Sequence, residues 1–248
     1  MNMLKKVIPC IFLLLIVCHT VSGQTKEPIN TDRPDQSDGT FTLIKKTFQL
    51  ETGFIYGKNP DHYFAHTNML RYGVSSSTEA RLLFTYGKRG SETGIVAPGI
   101  SVKQHLAASK KGWPEITAVG YLRLPFLATN NFKTENPAAT FLLAFQNDIT
   151  DRFSVGYNIG TTLDGDHAYK NWIFTASFGY TATKKCSFFA EYFSSFARVL
   201  KPSFNADAGI LWLLNNNLQI DLAIGSTLFQ QDKNQFITTG ISYRFLKP

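Results

Sequence analysis

Residues 152–192 alternate between large aromatic and small polar side chains in three successive segments, and no other feature restricts the fold as strongly. The segments read FSVGYNIG (153–160), WIFTASFGY (172–180) and FFAEY (188–192). A period of two over about ten residues predicts a β-strand with two different faces. Because Gly, Ser, Asn and Thr oppose the aromatics here, the pattern favours a transmembrane β-barrel with aromatics toward lipid and small polar residues toward a lumen.

The same alternation recurs along the chain, near residues 48–56, 63–72, 79–86, 100–105, 116–124, 140–148, 153–161, 172–181, 186–192, 204–213, 218–225 and 236–245. It predicts an all-β chain that forms a transmembrane antiparallel up-and-down β-barrel of about twelve strands, an even number as in single-chain bacterial barrels. A barrel closes only if its first and last strands pair. We therefore expect residues 48–56 and 237–245 to be antiparallel neighbours.

The connections between the predicted strands sort by length. Short turns are expected at one end of the barrel, at residues 75–77, 150–151, 182–185 and 215–217. Longer loops are expected at the other end, at residues 87–97, 125–137, 163–171, 196–202 and 227–234. Short periplasmic turns and long outer loops are typical of outer-membrane barrels, although a brief first loop and a longer connection at 107–114 depart from the rule.

The first residues predict export. Lys5 and Lys6 precede an apolar run at 7–17 that is too short to span a bilayer, and small residues follow at 21–23. This indicates a signal peptide at residues 1–23, with a lipoprotein signal ending at Cys18 as the alternative. Cleavage after residue 23 leaves Cys186 as the one cysteine, so no intrachain disulfide can form.

Two further segments follow the signal peptide. Residues 24–45 are polar and irregular, with Pro28, Pro34 and Gly39, and predict a periplasmic N-terminal arm that can fold into the mouth of the barrel. Its charged residues Asp32, Arg33 and Asp35 are candidate functional residues. Residues 46–248 are expected to form the barrel itself.

Charged residues inside the predicted strands all fall opposite the aromatics, where a lumen would lie. A basic residue facing lipid near the midplane costs about 2–4 kcal/mol, which supports this placement. The structural interpretation is a network of paired acids and bases, and the functional one is a polar path for a solute; the two are compatible. The candidates are Glu51, Arg71, Glu79, Arg81, Lys103, Arg123, Asp148, Glu191, Asp207, Asp221 and Arg244.

Several segments resemble one known family. NTDRPDQS (30–37), FQLETG (48–53), LDG (163–165), FAEY (189–192), DAG (207–209), LQID (218–221) and GISYRF (240–245) are similar to successive landmarks of the outer-membrane family labelled "MetA-pathway of phenol degradation". The resemblance covers nearly all of the chain after residue 23 and keeps the order of the segments. It implies an outer-membrane barrel and the passage of solutes.

We therefore expect a channel or transporter of the outer membrane for small solutes, hydrophobic or aromatic ones included. A structural or adhesive barrel that transports nothing is the alternative, and a barrel hydrolase is a more distant one. No Ser and His pair with an orienting partner and no zinc-like spacing occurs, so neither an enzyme, a cofactor nor a metal is expected. The basic residues are scattered, which argues against nucleic acid. The expected partners are outer-membrane lipid, the barrel-assembly machinery and an unidentified solute.

Overall fold

The computed structural model describes residues 27–59, 61–163, 165, 170–197, 201–229 and 234–245. Twelve antiparallel strands form a closed barrel, in which each strand pairs with its neighbours in the chain and the first pairs with the last. The strands are β1 (Phe48–Asn59), β2 (Asp61–Gly73), β3 (Thr78–Arg89), β4 (Glu92–Ala107), β5 (Glu115–Arg123), β6 (Ala138–Asp148), β7 (Phe153–Leu163), β8 (Lys170–Thr181), β9 (Cys186–Ala197), β10 (Ser203–Asn215), β11 (Leu218–Thr227) and β12 (Gln235–Phe245). The predicted signal peptide lies outside the described residues.

The two faces of the strands have opposite characters, as the alternation predicts. Aromatic and aliphatic side chains cover the outer surface: Phe54 is 48% exposed and Tyr56 52%. Tyr157 faces outward and stacks on Phe145 at 4.9 Å between ring centroids, whereas Asn158 is buried inside the barrel. A soluble protein buries its aromatics, so this inverted arrangement fits a barrel surrounded by lipid.

Few apolar side chains pack together inside the barrel. The buried apolar cluster consists of Val119, Leu142 and Ala144, with Tyr121 and Ile173 against it. Among the described residues there is no helical segment with the length and hydropathy of a membrane span. Buried polar and charged side chains fill much of the interior.

The seam of the barrel has the predicted partners. Phe48 lies opposite Phe245 and Tyr56 lies opposite Ile237 in an antiparallel ladder. This pairing removes the free edges that an open sheet would present to lipid, where each unpaired backbone group would cost several kcal/mol.

The prediction of a long outer loop at residues 87–97 is wrong. Strand β3 continues to Arg89 and β4 begins at Glu92, so the connection is a tight turn at Gly90, whose φ of +58° suits glycine. The ladder between β3 and β4 shifts register near Leu83, where β4 holds extra residues that include Pro98. Such a bulge tolerates proline because the missing N–H is not needed there.

Because β1 and β2 also meet at a tight turn, the predicted sorting of connections by length holds only in part. Longer outer connections follow β5, β7, β9 and β11, and parts of the last three lie outside the described residues. At the opposite, inner end the connections at 74–77, 149–152, 182–185 and 216–217 are short, and the one at 108–114 is longer. The inner end also carries the N-terminal segment and the end of β12, as expected for the periplasmic side.

Candidate functional site

Residues 27–47, called the arm below, run into the barrel lumen and return to the same end. At one end of the arm, the Ile29 N–H donates to the carbonyl of Asn216 in an inner turn (2.7 Å). At the other, the Lys46 N–H donates to the carbonyl of Gly73 at the inner end of β2 (2.7 Å). The arm is thus a loop inside the barrel, and it lies deeper than the mouth where the sequence placed it.

Asp32 is the most strongly held residue of the arm. Its carboxylate lies 2.5 Å from Arg81 Nη2, 2.9 Å from Lys103 Nζ and 3.3 Å from Arg71 Nη1. These cations come from β3, β4 and β2, and their side chains are fully buried. Burial alone would raise the pKa of Asp32, but Arg71, Arg81 and Lys103 together hold it well below its usual range.

Wall acids complete this cluster. Arg71 donates to Glu51 (2.6 Å) and to Glu79 (2.7 Å), and Arg81 also donates to Glu79 (2.7 Å). Every buried cation in it therefore has a carboxylate partner, as a stable buried ion pair requires. We call the inner faces of β2–β4 with this cluster the basic wall.

Arg33 lies against the seam of the barrel. Its Nη2 donates to Asp221 (3.0 Å) and to Thr238 (3.1 Å). The guanidinium passes over Gly53 and Gly240, which face each other across the seam. A Cβ at Gly53 would lie 2.2 Å from Nη2 and one at Gly240 would lie 2.4 Å from Nε, so a side chain at either position would displace the guanidinium.

Ser37 and Asp38 of the arm meet the opposite side of the barrel. The Tyr121 hydroxyl donates to the carboxylate of Asp38 (2.6 Å). Asn158 and the Asp38 backbone exchange two hydrogen bonds of 2.8 and 3.0 Å. The Ser37 hydroxyl donates to the carboxylate of Glu191. The arm therefore crosses the lumen from β2–β4 to β7–β9.

On this far side three carboxylates meet, and none of them forms an ion pair with a base among the described residues. Glu191 and Asp207 are directly opposite each other on β9 and β10, and Asp35 of the arm interacts electrostatically with both. In the described part of the chain, neither carboxylate oxygen of Asp207 has a hydrogen-bond partner, nor does Asp35 Oδ1. Burial raises the pKa of Asp35 well above its usual range, and the charges of Glu191, Asp207 and Asp32 raise it further. We call the inner faces of β9 and β10 the acidic wall.

The arm lies between two cavities. The outer cavity has a volume of about 410 Å³ and the inner one about 280 Å³. Both are lined by Asp32, Asp35, Ser37 and Asp38, so the arm is the floor of one and the roof of the other. The outer cavity is also lined by Thr67, Thr85, Thr140, Thr162, Met69, Leu83, Leu142, Ile173, Tyr121 and Arg123.

Most of the predicted wall charges face the lumen. Arg123 lines the outer cavity, and Arg244 donates to the Glu27 carbonyl where the arm begins (2.7 Å). Asp148 differs: it occupies an inward position of β6 but is exposed at the inner rim, because the strand ends there. The remaining candidates are buried inside the barrel: Glu51, Arg71, Glu79, Arg81, Lys103, Glu191, Asp207 and Asp221.

Sequence reasoning missed several residues that hold the arm. Ser37 and Asp38 lie in the polar segment after Pro34, and Tyr121 and Asn158 occupy inward strand positions. The alternation does indicate that Tyr121 and Asn158 face inward, but nothing in it shows which arm group each one meets. Among the residues described, no group of three or more His, Cys, Asp or Glu side chains is arranged to hold a metal ion.

Comparison with known families identifies the chain's relatives. The family described as "Putative MetA-pathway of phenol degradation" matches residues 31–245, from the arm to the end of the last strand. The chain belongs to this family. A search of curated proteins finds no match.

Solved structures share the fold at low sequence identity. The COG4313 outer membrane channel from Pseudomonas putida F1 is similar with a TM-score of 0.63 and 8% identity, over 86% of this chain and all of that one (100%). The KdgM porin in complex with oligogalacturonate gives 0.61 and 10%, over 80% and 99%. The NanC porin gives 0.60 and 8%, over 79% and 98%. These likenesses confirm the barrel architecture.

Proposed function

We propose that the protein is a channel of the bacterial outer membrane that passes small solutes, with the arm as a septum across its lumen. The apolar outer surface supports a lipid environment, and the polar interior supports a hydrated path. Membership of the family supports the same function, as do the similar folds that are named as channels and porins.

The observation that carries the proposal is the pair of cavities that meet at the arm. Their volumes, about 410 and 280 Å³, are close to the roughly 300–1,000 Å³ of small-molecule sites. A barrel with a purely structural or adhesive role has no need for two cavities that meet at the arm inside its lumen. A solute that crosses the lumen has to pass the arm between them.

The lining of the outer cavity indicates the kind of solute. Met69, Leu83, Leu142 and Ile173 supply an apolar surface, and four threonines supply hydroxyls. Charged groups of both signs complete the lining: Arg33, Arg123, Asp32, Asp35, Asp38 and Glu51. Such a mixed lining fits a small solute that has an apolar body and a polar group. A phenol has this character, whereas a large saccharide exceeds the available volume.

The proposal can be tested by locking the arm to the wall. The hydroxyls of Ser37 and Thr175 are 2.5 Å apart, so cysteines at both positions can form a disulfide. The variant Ser37→Cys/Thr175→Cys would be made in a Cys186→Ser background and recorded in planar bilayers, first oxidised and then reduced.

We expect a lower single-channel conductance in the oxidised state and recovery after reduction. The Ser37→Cys single variant, which cannot form the bond, should not respond to either treatment. If the disulfide is verified by mass spectrometry and the conductance does not change, the arm is not part of the path. No conductance in either state would favour the structural or adhesive barrel.

A further inference from the structure

The inner rim of the barrel carries unpaired positive charge. Exposed bases lie on the arm before β1 and on the connections β4–β5, β6–β7 and β8–β9: Lys45, Lys46, Lys110, Lys111, Arg152, Lys184 and Lys185. Within the described part of the chain none of them forms an ion pair. The acids at this end are fewer, namely Glu27, Glu115, Asp148 and Asp151, so the rim carries an excess of positive charge. The turns at the outer end mix Lys58, Lys88 and Arg89 with Asp61 and Glu92.

The connection between β4 and β5 forms an ordered, hydrogen-bonded turn at this rim. Lys110 and Trp113 exchange two backbone hydrogen bonds (3.3 and 2.7 Å), and Gly112 between them has a φ of +82°. This tight turn presents Lys110, Lys111 and Trp113 together at its tip. Trp113 is 71% exposed, although it is the most apolar side chain of the turn.

A belt of aromatics lies just above this rim on the outer surface. Its members are at the inner ends of their strands and are partly exposed: Phe48, Phe153, Phe188, Trp212 and Phe245. Aromatic belts mark the boundary between hydrocarbon and headgroups. The rim bases and Trp113 therefore lie at the level of the phospholipid headgroups, where a negatively charged surface attracts lysine and an indole ring is well accommodated.

We propose that the inner rim, through the Lys110–Trp113 turn and its neighbouring bases, binds the anionic phospholipid headgroups of the inner leaflet. This rests on the outer-membrane location proposed above, and it is independent of whether the lumen conducts. The ligand is a surface of phosphodiester groups and not free phosphate, because separate turns around the rim each contribute charge.

Tryptophan fluorescence can test this with the full barrel. The chain has three tryptophans, so the Trp172→Phe/Trp212→Phe variant reports on Trp113 alone. It would be folded into two kinds of phosphatidylcholine vesicle. One contains phosphatidylglycerol that carries bromines near the headgroup, and the other contains the same fraction of phosphatidylcholine brominated at the same position. Heat-modifiable mobility in gels would verify folding first, and failure there would count against the membrane barrel instead.

We expect brominated phosphatidylglycerol to quench the fluorescence of Trp113 more strongly than brominated phosphatidylcholine does. The expected preference is roughly fivefold, which corresponds to the attraction of about 1 kcal/mol between one basic residue and an anionic surface. Lys110→Gln/Lys111→Gln should reduce this preference, whereas Lys58→Gln/Lys88→Gln at the outer end should not. High salt should reduce it, and inorganic phosphate should act no more than chloride at equal ionic strength.

Equal quenching by the two lipids, or an unchanged preference in Lys110→Gln/Lys111→Gln, would overturn the proposal. If neither lipid quenches Trp113, the turn lies in water and faces a soluble partner, which would also overturn it.

Discussion

The arm meets two opposite walls of the lumen in different ways. At the basic wall, the carboxylate of Asp32 is shared by Arg71, Arg81 and Lys103. The two arginines also pair with wall acids, and Lys103 also donates to carbonyls of the arm. At the acidic wall, Glu191 accepts only from a hydroxyl and backbone amides of the arm, and Asp207 has no hydrogen-bond partner among the described residues. The arm is therefore anchored at one wall and weakly held at the other.

This difference indicates at which wall the arm can move aside to let a solute pass. Removing one partner of a compensated buried ion pair leaves a charge without a counterion, which is costly. At the acidic wall the described residues form no ion pair with the arm, so displacing the arm there leaves no buried base without its carboxylate. We expect a solute to pass beside Asp35, with Asp32 remaining in place.

The largest effect should come from Asp32→Ala. The variant removes the carboxylate partner of Lys103, while Arg71 and Arg81 keep their wall acids. Leaving a buried charge unpaired in this way costs roughly 3–5 kcal/mol. Urea unfolding of the refolded barrel, followed by heat-modifiable mobility, would measure the loss of unfolding free energy. Asp35→Asn is the matched control in the same arm, and it should leave the free energy unchanged or raise it. Equal losses in the two variants would show that the walls do not differ.

A second effect is the pH dependence of the two arm carboxylates, which should have opposite signs. The pKa of Asp32 is lowered from 3.8, so its contribution to stability is present above pH 3.8 and is lost as the pH falls below that value. The pKa of Asp35 is raised from 3.8, so the folded state binds the extra proton and stability falls as the pH rises above that value.

Unfolding free energies between about pH 3 and pH 8 would test this for each single variant. Asp32→Asn should flatten the acid side of the curve. Asp35→Asn should remove the part of the fall in unfolding free energy above pH 3.8 that Asp35 causes. Glu191 and Asp207, which face Asp35, are still present in this variant and keep their own contributions. A curve for Asp35→Asn that matches the unsubstituted protein would contradict the raised pKa.

The walls were predictable from the sequence because one local rule fixes them. A strand of period two assigns every residue to a face, so Arg71 and Glu191 could be placed in the lumen, and the seam pairing of Phe48 with Phe245 followed from the need to close the sheet. The rule failed where composition resembled a turn: residues 87–97 contain glycines and charges, yet most of them continue the β3–β4 ladder.

The path of the arm was not predictable in the same way. Residues 27–47 have no period, and their bonds reach residues far away in the chain, such as Arg33 to Asp221. Which wall residue meets which arm residue depends on strand stagger around the whole barrel, which no local pattern contains. For this reason Asp32 was a candidate from its motif, while its three partners were recognised only as wall charges.

The smallest effect should come from Asp148, which the sequence grouped with the lumen charges. It shares the inward orientation of the acidic wall, but it is exposed at the end of β6, where its carboxylate accepts from the Gln146 amide (3.0 Å). A solvated carboxylate at a rim contributes little, so Asp148→Asn should change the unfolding free energy by no more than about 0.5 kcal/mol and leave the conductance unchanged. Urea unfolding and bilayer recording beside Asp32→Ala would compare the two acids directly. A loss near that of Asp32→Ala would mean that inward orientation, and not burial with cations, determines how strongly a lumen charge acts.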